Sequence, residues 1–437
     1  MGNHGGHKVK KRRVLLFLCI VAITVLLNIA AWNSKAFCDW YIANIFPVWV
    51  NTYGRFTGLF PFSVGEWLIL AGVLLVALAA LLLLPWGIIE IVRAVAVRRT
   101  VRKEGQIVCG EETLEPGKDK GKEVVADKPG MALKFFRRFY VFFVWTLLSV
   151  CLVMTLNCFI LYHASTFSER YFGNADGTLA GADEYTLEEL MAVYNRVAEQ
   201  CLRLSEEIAR DENGRALYTG SAGRDGRQLD MADKARELMN ILGETYEQLD
   251  GYYPRPKALL SSDFMCQQYM CGYYFPFSME ANYNDVMYVL NKPSTMCHEL
   301  AHLRGFIYED EANFIAYLAC VESDDAFFQY AGYLSVLSYL YNDLYRAWKA
   351  DPQAYQEAAE VMRPMAVTDQ VWEDDTFVMP EEWDRINEKA LIDTEVVDQA
   401  SDVFIDTSLK VNGISDGSVS YSRVVKLLLQ YYRIAGE

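Results

Sequence analysis

Three long apolar runs, Val14–Trp32, Trp67–Glu90 and Phe139–Tyr162, separate the first part of the chain from the rest. Each approaches or exceeds the length of helix needed to cross a hydrocarbon core of roughly 30 Å. After His163 the continuous runs give way to periodic ones. "DEYTLEELMAVYNRVAEQCLRL" sets a Thr186/Glu189 capping box before apolar residues at helical spacing, which predicts a helix. A polar "GSAGRDGR" loop and a second helix, about Met231–Leu249, follow. "GYYFPFSMEANYNDVMYVLN" is aromatic, β-branched and rich in Asn and Asp, which predicts strands and a turn, with 284–291 as an edge strand suited to pairing with an extended peptide. From Pro293 the pattern is helical through about Trp348. "NGISDGSVSYSRVVKLLLQYY" then reads as a turn and a closing helix.

The expected fold class is therefore three N-terminal transmembrane helices followed by a mostly α (α+β) domain with a small sheet. The aromatic stretch 326–348 is apolar enough to be weighed as a fourth crossing. Gln329, Asn342 and Asp343, with repeated Tyr and Ser, assign it to a core helix instead.

Charge supplies the sidedness. Basic residues crowd the tail 1–13 and the loop 91–138, whereas 33–66 holds only Lys35 and Arg55. The positive-inside rule puts the tail and the 91–138 loop in the cytoplasm and everything from His163 onward outside. The expected organisation is a cytoplasmic tail (1–13), crossings at 14–32, 67–90 and 139–162, an aromatic outer loop (33–66) at the interface, a cytoplasmic loop with a flexible linker (104–130), and an extracytoplasmic domain (163–437). The first run could alternatively be a cleaved signal peptide, but no small-x-small site follows it. The expected location is the cytoplasmic membrane, multi-pass, with the bilayer as a partner. Through His163 the chain carries 19 Lys+Arg and 10 Asp+Glu, a net of +9, and beyond it 22 and 47, a net of −25. An acidic domain on a basic anchor argues against nucleic-acid binding. Ten scattered cysteines give no disulfide framework, although Cys266 and Cys271 are spaced for one bridge.

The chemistry concentrates in "STMCHELAHLRGFIYEDEANF". On a helix His298 and His302 lie one turn apart and share a face, so both rings can reach one Zn2+ ion, and Glu299 lies beside it as a general base. Only five histidines exist, and His4, His7 and His163 are poorly placed, so a carboxylate or cysteine must be the third ligand. Gly305 suits a turn that folds the chain back and brings Glu309 to the site, with Asn313 one turn further on to hold a ligand histidine. Glu311, Cys297, Asp310 and Tyr308 remain as alternatives to Glu309.

"HELAH" followed by "EDEANFIAY" is similar to the gluzincin pattern, in which H-E-x-x-H is joined by E-x-x-A-[DN] on a later helix. The six-residue linker between His302 and Glu309 also resembles the compact metzincin spacing, with glutamate replacing the last histidine. Through "PFSVGEW", "GYYFPFSMEAN", "HELAHLRGF", "EDEANF" and "SYSRVVKLLL", nearly the whole chain resembles a family of bacterial three-helix membrane proteins of unassigned function. The gluzincin resemblance implies a zincin-like domain, His298, His302 and Glu309 as ligands, and a His, Tyr or Arg that serves the oxyanion. With no histidine left, Tyr421, Arg423, Tyr330 and Tyr333 are the candidates, each also suited to packing. The expected function is a membrane-anchored, zinc-dependent metallopeptidase-like hydrolase, in which a zinc-activated water attacks an amide of a peptide or protein substrate, with cell-envelope substrates in view. The alternatives are a non-catalytic, zinc-stabilised sensor or scaffold, and a hydrolase of cell-wall or lipid-linked amides.

Overall fold

The computed structural model describes residues 4–108, 130–173, 185–411 and 423–436. It is mostly helical with two small sheets, and the chain divides into two compact units. The smaller unit is formed by the residues up to Ala22 together with Trp67–Leu152. Its helices belong to α1 (His4–Asn33), α2 (Val64–Val108) and α3 (Met131–Met154). The segments Lys11–Asn33, Val64–Ala96 and Met131–His163 are long and apolar enough to cross a membrane. Leucines and valines along them point outward, as a hydrocarbon surrounding requires. Within the unit, Tyr140 donates to the Ala79 carbonyl (2.7 Å) and Arg137 pairs with Glu90 (2.8 Å). Helix α2 continues to Val108, so 104–108 is helical where a linker was expected, and 109–129 lie outside the described residues.

The larger unit joins Ile23–Glu66 to Val153–Glu437. Helix α4 (Leu187–Glu207) starts at the Thr186/Glu189 capping box. Helix α5 (Met231–Gly243) is capped by Asp230 and ends earlier than its sequence suggests. A Cβ on Gly243 would meet the Asp250 backbone at 2.9 Å, so the end of the helix needs glycine where the following chain crosses it. A minimal hairpin pairs β1 (Ser221–Ala222) with β2 (Gln228–Leu229). The second sheet has β5 (Glu280–Tyr283) at its centre, parallel to β3 (Lys257–Ala258) and antiparallel to β4 (Gly272–Phe275).

The expected edge strand at 284–291 does not form. The buried Asn284 side chain accepts from the Val286 N–H and turns the chain out of β5, and the outer strands of the sheet are the two-residue β3 and the longer β4. The helical stretch from Pro293 is three helices: α6 (Asn291–His302), α7 (Glu309–Val321) and α8 (Ala326–Ala350). Gly305, at φ +86°, breaks the first pair, and the Asp325 cap opens α8. Phe328, Tyr330, Leu337 and Leu340 of α8 are fully buried inside the unit, so α8 is a core helix. Helix α9 (Arg423–Ala435) packs on α7 and α8, and the core lies among α4, α6, α7, α8 and α9.

The loop 33–66 is more than an interfacial strap. It forms short helices whose Cys38, Ile42, Phe46 and Val50 sink into the same core, while Trp40, Tyr53, Phe56 and Leu59 stay exposed. Its end explains "PFSVGEW". Buried Glu280 of β5 accepts from the N–H groups of Val64 and Gly65 and pairs with Lys257 of β3 at 2.5 Å. Glu66 in turn accepts from the N–H groups of Leu260 and Ser261. All described cysteines are free thiols, Cys266 and Cys271 among them.

Candidate metal centre

The HELAH residues end α6, and the tight turn at Gly305 returns the chain so that α7 starts beside them. Ile42 packs on that glycine, and any Cβ there would lie 3.1 Å from its Cγ2. His298 and His302 present their Nε2 atoms to each other at 3.1 Å. Glu309, the first residue of α7, places Oε2 3.0 Å from His298 Nε2 and Oε1 3.9 Å from His302 Nε2. The three ligand atoms lie within 4.8 Å of one another, and this is the one such cluster among the described residues.

The far sides of both rings are committed. His302 Nδ1–H donates to the Phe306 carbonyl (2.7 Å), which can only accept. His298 Nδ1–H donates to the Asn313 side-chain oxygen (2.8 Å), one turn into α7. Two neutral rings held in this way turn bare Nε2 lone pairs towards each other and towards a carboxylate. Three acceptors at that spacing need a cation among them. One tetrahedral Zn2+ at its usual ~2.0–2.2 Å from each would set such atoms about 3.3–3.6 Å apart, inside the observed range of 3.0 to 3.9 Å, so the donor set fits. Without an ion a proton must serve. Burial opposes charge on His298, but the hydrogen bond and charge of Glu309 raise its pKa to about 9. Burial, helped by the His298 charge, pushes His302 down to about 4. Glu309 is held at about 2 by His298 in spite of its burial.

Glu299 is buried, and its Oε2 has no hydrogen-bond partner among the described residues. Burial raises its pKa to about 8, against the opposing charge of His298. It lies against β4 at Gly272, where a Cβ would stand 2.7 Å from Oε1 and 2.5 Å from the Asn282 carbonyl. Gly272 is a part of this site that sequence reasoning missed. Its signal was present, as a glycine inside a strand pattern that marks a close approach.

The other candidates go elsewhere. Glu311 is buried on the far side of α7, where it accepts from the Phe167 N–H (2.5 Å). Tyr308 donates to the Tyr162 carbonyl (2.6 Å). Cys297 is buried beside Cys320, and Asp310 lies within the field of Arg423. Among the oxyanion candidates, Tyr330 donates to Asp374 (2.7 Å), in a buried network with Arg210, and Tyr333 packs edge-on against Tyr317. Arg423 opens α9, close enough to Asp310 and Tyr308 for its charge to act on both. Tyr421 lies outside the described residues. A tyrosine that sequence reasoning passed over, Tyr339 of α8, is raised to about 12 by burial and then by the charges of Cys271 and Glu309.

Comparison with known families places residues 124–429 in the family described as protein of unknown function, DUF3810, and the chain belongs to that family. The match takes in the third apolar segment and nearly all of the larger unit's second part. No curated protein and no solved structure matches the chain.

Proposed function

We propose that this protein is a membrane-anchored, zinc-dependent peptidase of zincin type, with its larger unit on the outer side of the cytoplasmic membrane. The observation that carries the reading is the pair of histidine Nε2 atoms at 3.1 Å, each ring fixed from behind by an acceptor, with Glu309 closing the third side. His298, His302 and Glu309 hold the ion, and Asn313 and the Phe306 carbonyl fix the ring orientations. When bound there, Zn2+ polarises an amide carbonyl and brings the acidity of water towards about pH 7. Glu299, buried and with its Oε2 unpartnered among the described residues, takes the proton of the attacking water and delivers it to the leaving nitrogen. Gly272 leaves room for that carboxylate beside the free edge of β4, along which an extended peptide can pair. Tyr339 of α8, within the field of Glu309, is a candidate donor to the developing oxyanion. The crowding of basic residues around 8–13 and 91–138 supports the sidedness.

The test compares purified wild type, Glu299→Gln and His298→Ala for zinc content and for cleavage of a peptide library. Wild type and Glu299→Gln should each hold one zinc, with cleavage at least a hundredfold lower in the variant, whereas His298→Ala should lose the metal. Zinc-loaded wild type that cleaves nothing would leave a metal-stabilised sensor or scaffold as the better account. Wild type that binds no zinc would remove the metal centre altogether.

A further inference from the structure

The peptidase reading leaves the substrate open, and the surroundings of β4 narrow it. Asn28 lies four residues before Trp32, inside the first apolar segment, and its side chain donates to Thr155 Oγ1 (2.9 Å). Thr155 is therefore at the depth of Asn28, roughly 6 Å inside the level of Trp32 at 1.5 Å per residue. Asn157 is two residues on, still within the Met131–His163 segment, and is almost fully buried in protein. Its side chain donates to the Pro276 carbonyl (2.8 Å), and its own carbonyl accepts from Tyr274 (3.0 Å). The β4–β5 turn, "FPFSM", is thus held at the level where the crossing helices leave the hydrocarbon.

A second set of contacts reaches the same turn. Thr57 donates to the Ser278 carbonyl (2.8 Å), and Gly54 approaches the Met279 carbonyl so closely that a Cβ would stand 3.3 Å away. Thr57 and Gly54 belong to the stretch between Asp39 and Glu66, whose only charged side chain is Arg55 and whose Trp40, Tyr53, Phe56 and Leu59 are exposed. An uncharged, aromatic surface on a unit that is otherwise strongly acidic is what a lipid headgroup boundary selects. Gly272, beside the Glu299 carboxylate, is four residues before Pro276, which directly follows β4. At about 3.3 Å per residue Gly272, which the base lies against, is at most ~13 Å from the residue whose carbonyl is bonded to a membrane-crossing segment.

We infer that the site acts at the bilayer surface, on membrane-anchored polypeptides whose scissile bond lies within a few residues of the membrane. The inference rests on the peptidase reading and adds the place and class of substrate. The observations favour a polypeptide because the free edge of β4 leads from the base towards the membrane and offers backbone pairing. A substrate anchored in the same bilayer is also delivered at a high effective concentration, which a soluble peptide lacks.

The test reconstitutes the full chain in vesicles of phosphatidylethanolamine and phosphatidylglycerol with single-span peptides. Each peptide carries a randomised segment flanking its span, and the same segments are supplied free in solution. Products are read by mass spectrometry. The anchored set should be cut at least about tenfold faster than the free set, at bonds within about six residues of the span. Phe277→Asp, which places a charge on the turn, should lower cleavage of anchored peptides several-fold with zinc content unchanged. Free peptides cut as fast, or bonds cut only beyond about fifteen residues from the span, would overturn the inference and leave the peptidase reading standing. Cleavage of a lipid-linked amide with no polypeptide cut would overturn the substrate class. If zinc-loaded wild type and Glu299→Gln both leave every probe intact, the peptidase reading fails and this inference with it.

Discussion

Gly272→Ala tests the closest contact on which the site depends. The added Cβ would stand 2.5 Å from the Asn282 carbonyl, 2.7 Å from Glu299 Oε1 and 3.0 Å from Thr295 Cγ2. Ordinary carbon–oxygen contacts lie at about 3.3–3.6 Å, so the overlap with the carbonyl is roughly 0.8 Å. That carbonyl belongs to β5, the strand pairing with β4, and cannot rotate away alone. Either the hairpin opens or β4 moves off α6, and both shift the wall against which Glu299 lies. Overpacking of this kind costs about 1–3 kcal/mol of stability. Displacing a catalytic group by about 1 Å costs on the order of a hundredfold in rate. The candidate ligands His298, His302 and Glu309 sit on α6 and α7 and supply none of the three atoms nearest the new methyl, so zinc stoichiometry should not change.

The assay needs a control that separates packing from position. Gly332→Ala places a Cβ 2.7 Å from Cys320 Cβ and 3.0 Å from Val321 Cγ1, a comparable clash between α8 and α7 that does not touch Glu299. Both variants should lose similar stability by denaturant unfolding. Only Gly272→Ala should also lose about a hundredfold in peptide cleavage per bound zinc. Equal activities in the two variants, or an unaltered Gly272→Ala protein, would refute the close approach of β4 to the base.

Three further outcomes follow from the same geometry. Asn313→Ala removes the acceptor behind His298 and should weaken zinc binding by about 10–100-fold in a chelator competition, with Glu309 and both histidines still in place. Lys257→Met strands the buried Glu280 carboxylate and should cost about 3–5 kcal/mol in chemical unfolding, and a loss below 1 kcal/mol would contradict the buried pair. Asp375 is raised to about 6 by burial, against a hydrogen bond from Ser338, whereas its ordinary value is 3.8. A raised acid binds its proton more tightly when folded, so its contribution is full below about pH 3.8 and is lost as pH rises through about 6. The stability difference between wild type and Asp375→Asn should therefore fall from about pH 4 to 6 and stay level above. A difference that rises over that interval would reverse the assigned cause.

What was legible in the sequence was what local spacing determines. One helical turn separates His298 from His302, a glycine with positive φ ends α6, and one turn separates Glu309 from Asn313; these are properties of a short stretch of chain. The choice between Glu309 and Glu311 also follows from helix geometry, because the two diverge around α7 and Glu311 meets the Phe167 backbone. The capping box at Thr186 and the three apolar segments were legible for the same reason. The strands were not. Nothing local distinguishes 284–291 from an edge strand except that Asn284 is buried and turns its own backbone, and burial is decided by distant residues. Tyr330 and Tyr333 were oxyanion candidates because no histidine was left for that place, and their partners Asp374 and Tyr317 are remote in sequence or on another helix.

The aromatic stretch 33–66 shows the limit most clearly. Its composition announces an interface, and the exposed Trp40, Tyr53 and Phe56 agree with that. Composition could not show that every fourth side chain, Cys38, Ile42, Phe46 and Val50, enters the core of the larger unit, or that Ile42 rests on Gly305 at the turn between α6 and α7. Because Gly305 has room for Ile42 only by lacking a side chain, the turn that brings Glu309 to the histidines and the segment that leads into α2 are fitted to each other. Gly305→Ala should therefore disturb more than a turn: it strains a φ of +86° and drives a methyl into Ile42 at 3.1 Å, so zinc binding and the seating of the 33–66 segment should fail together.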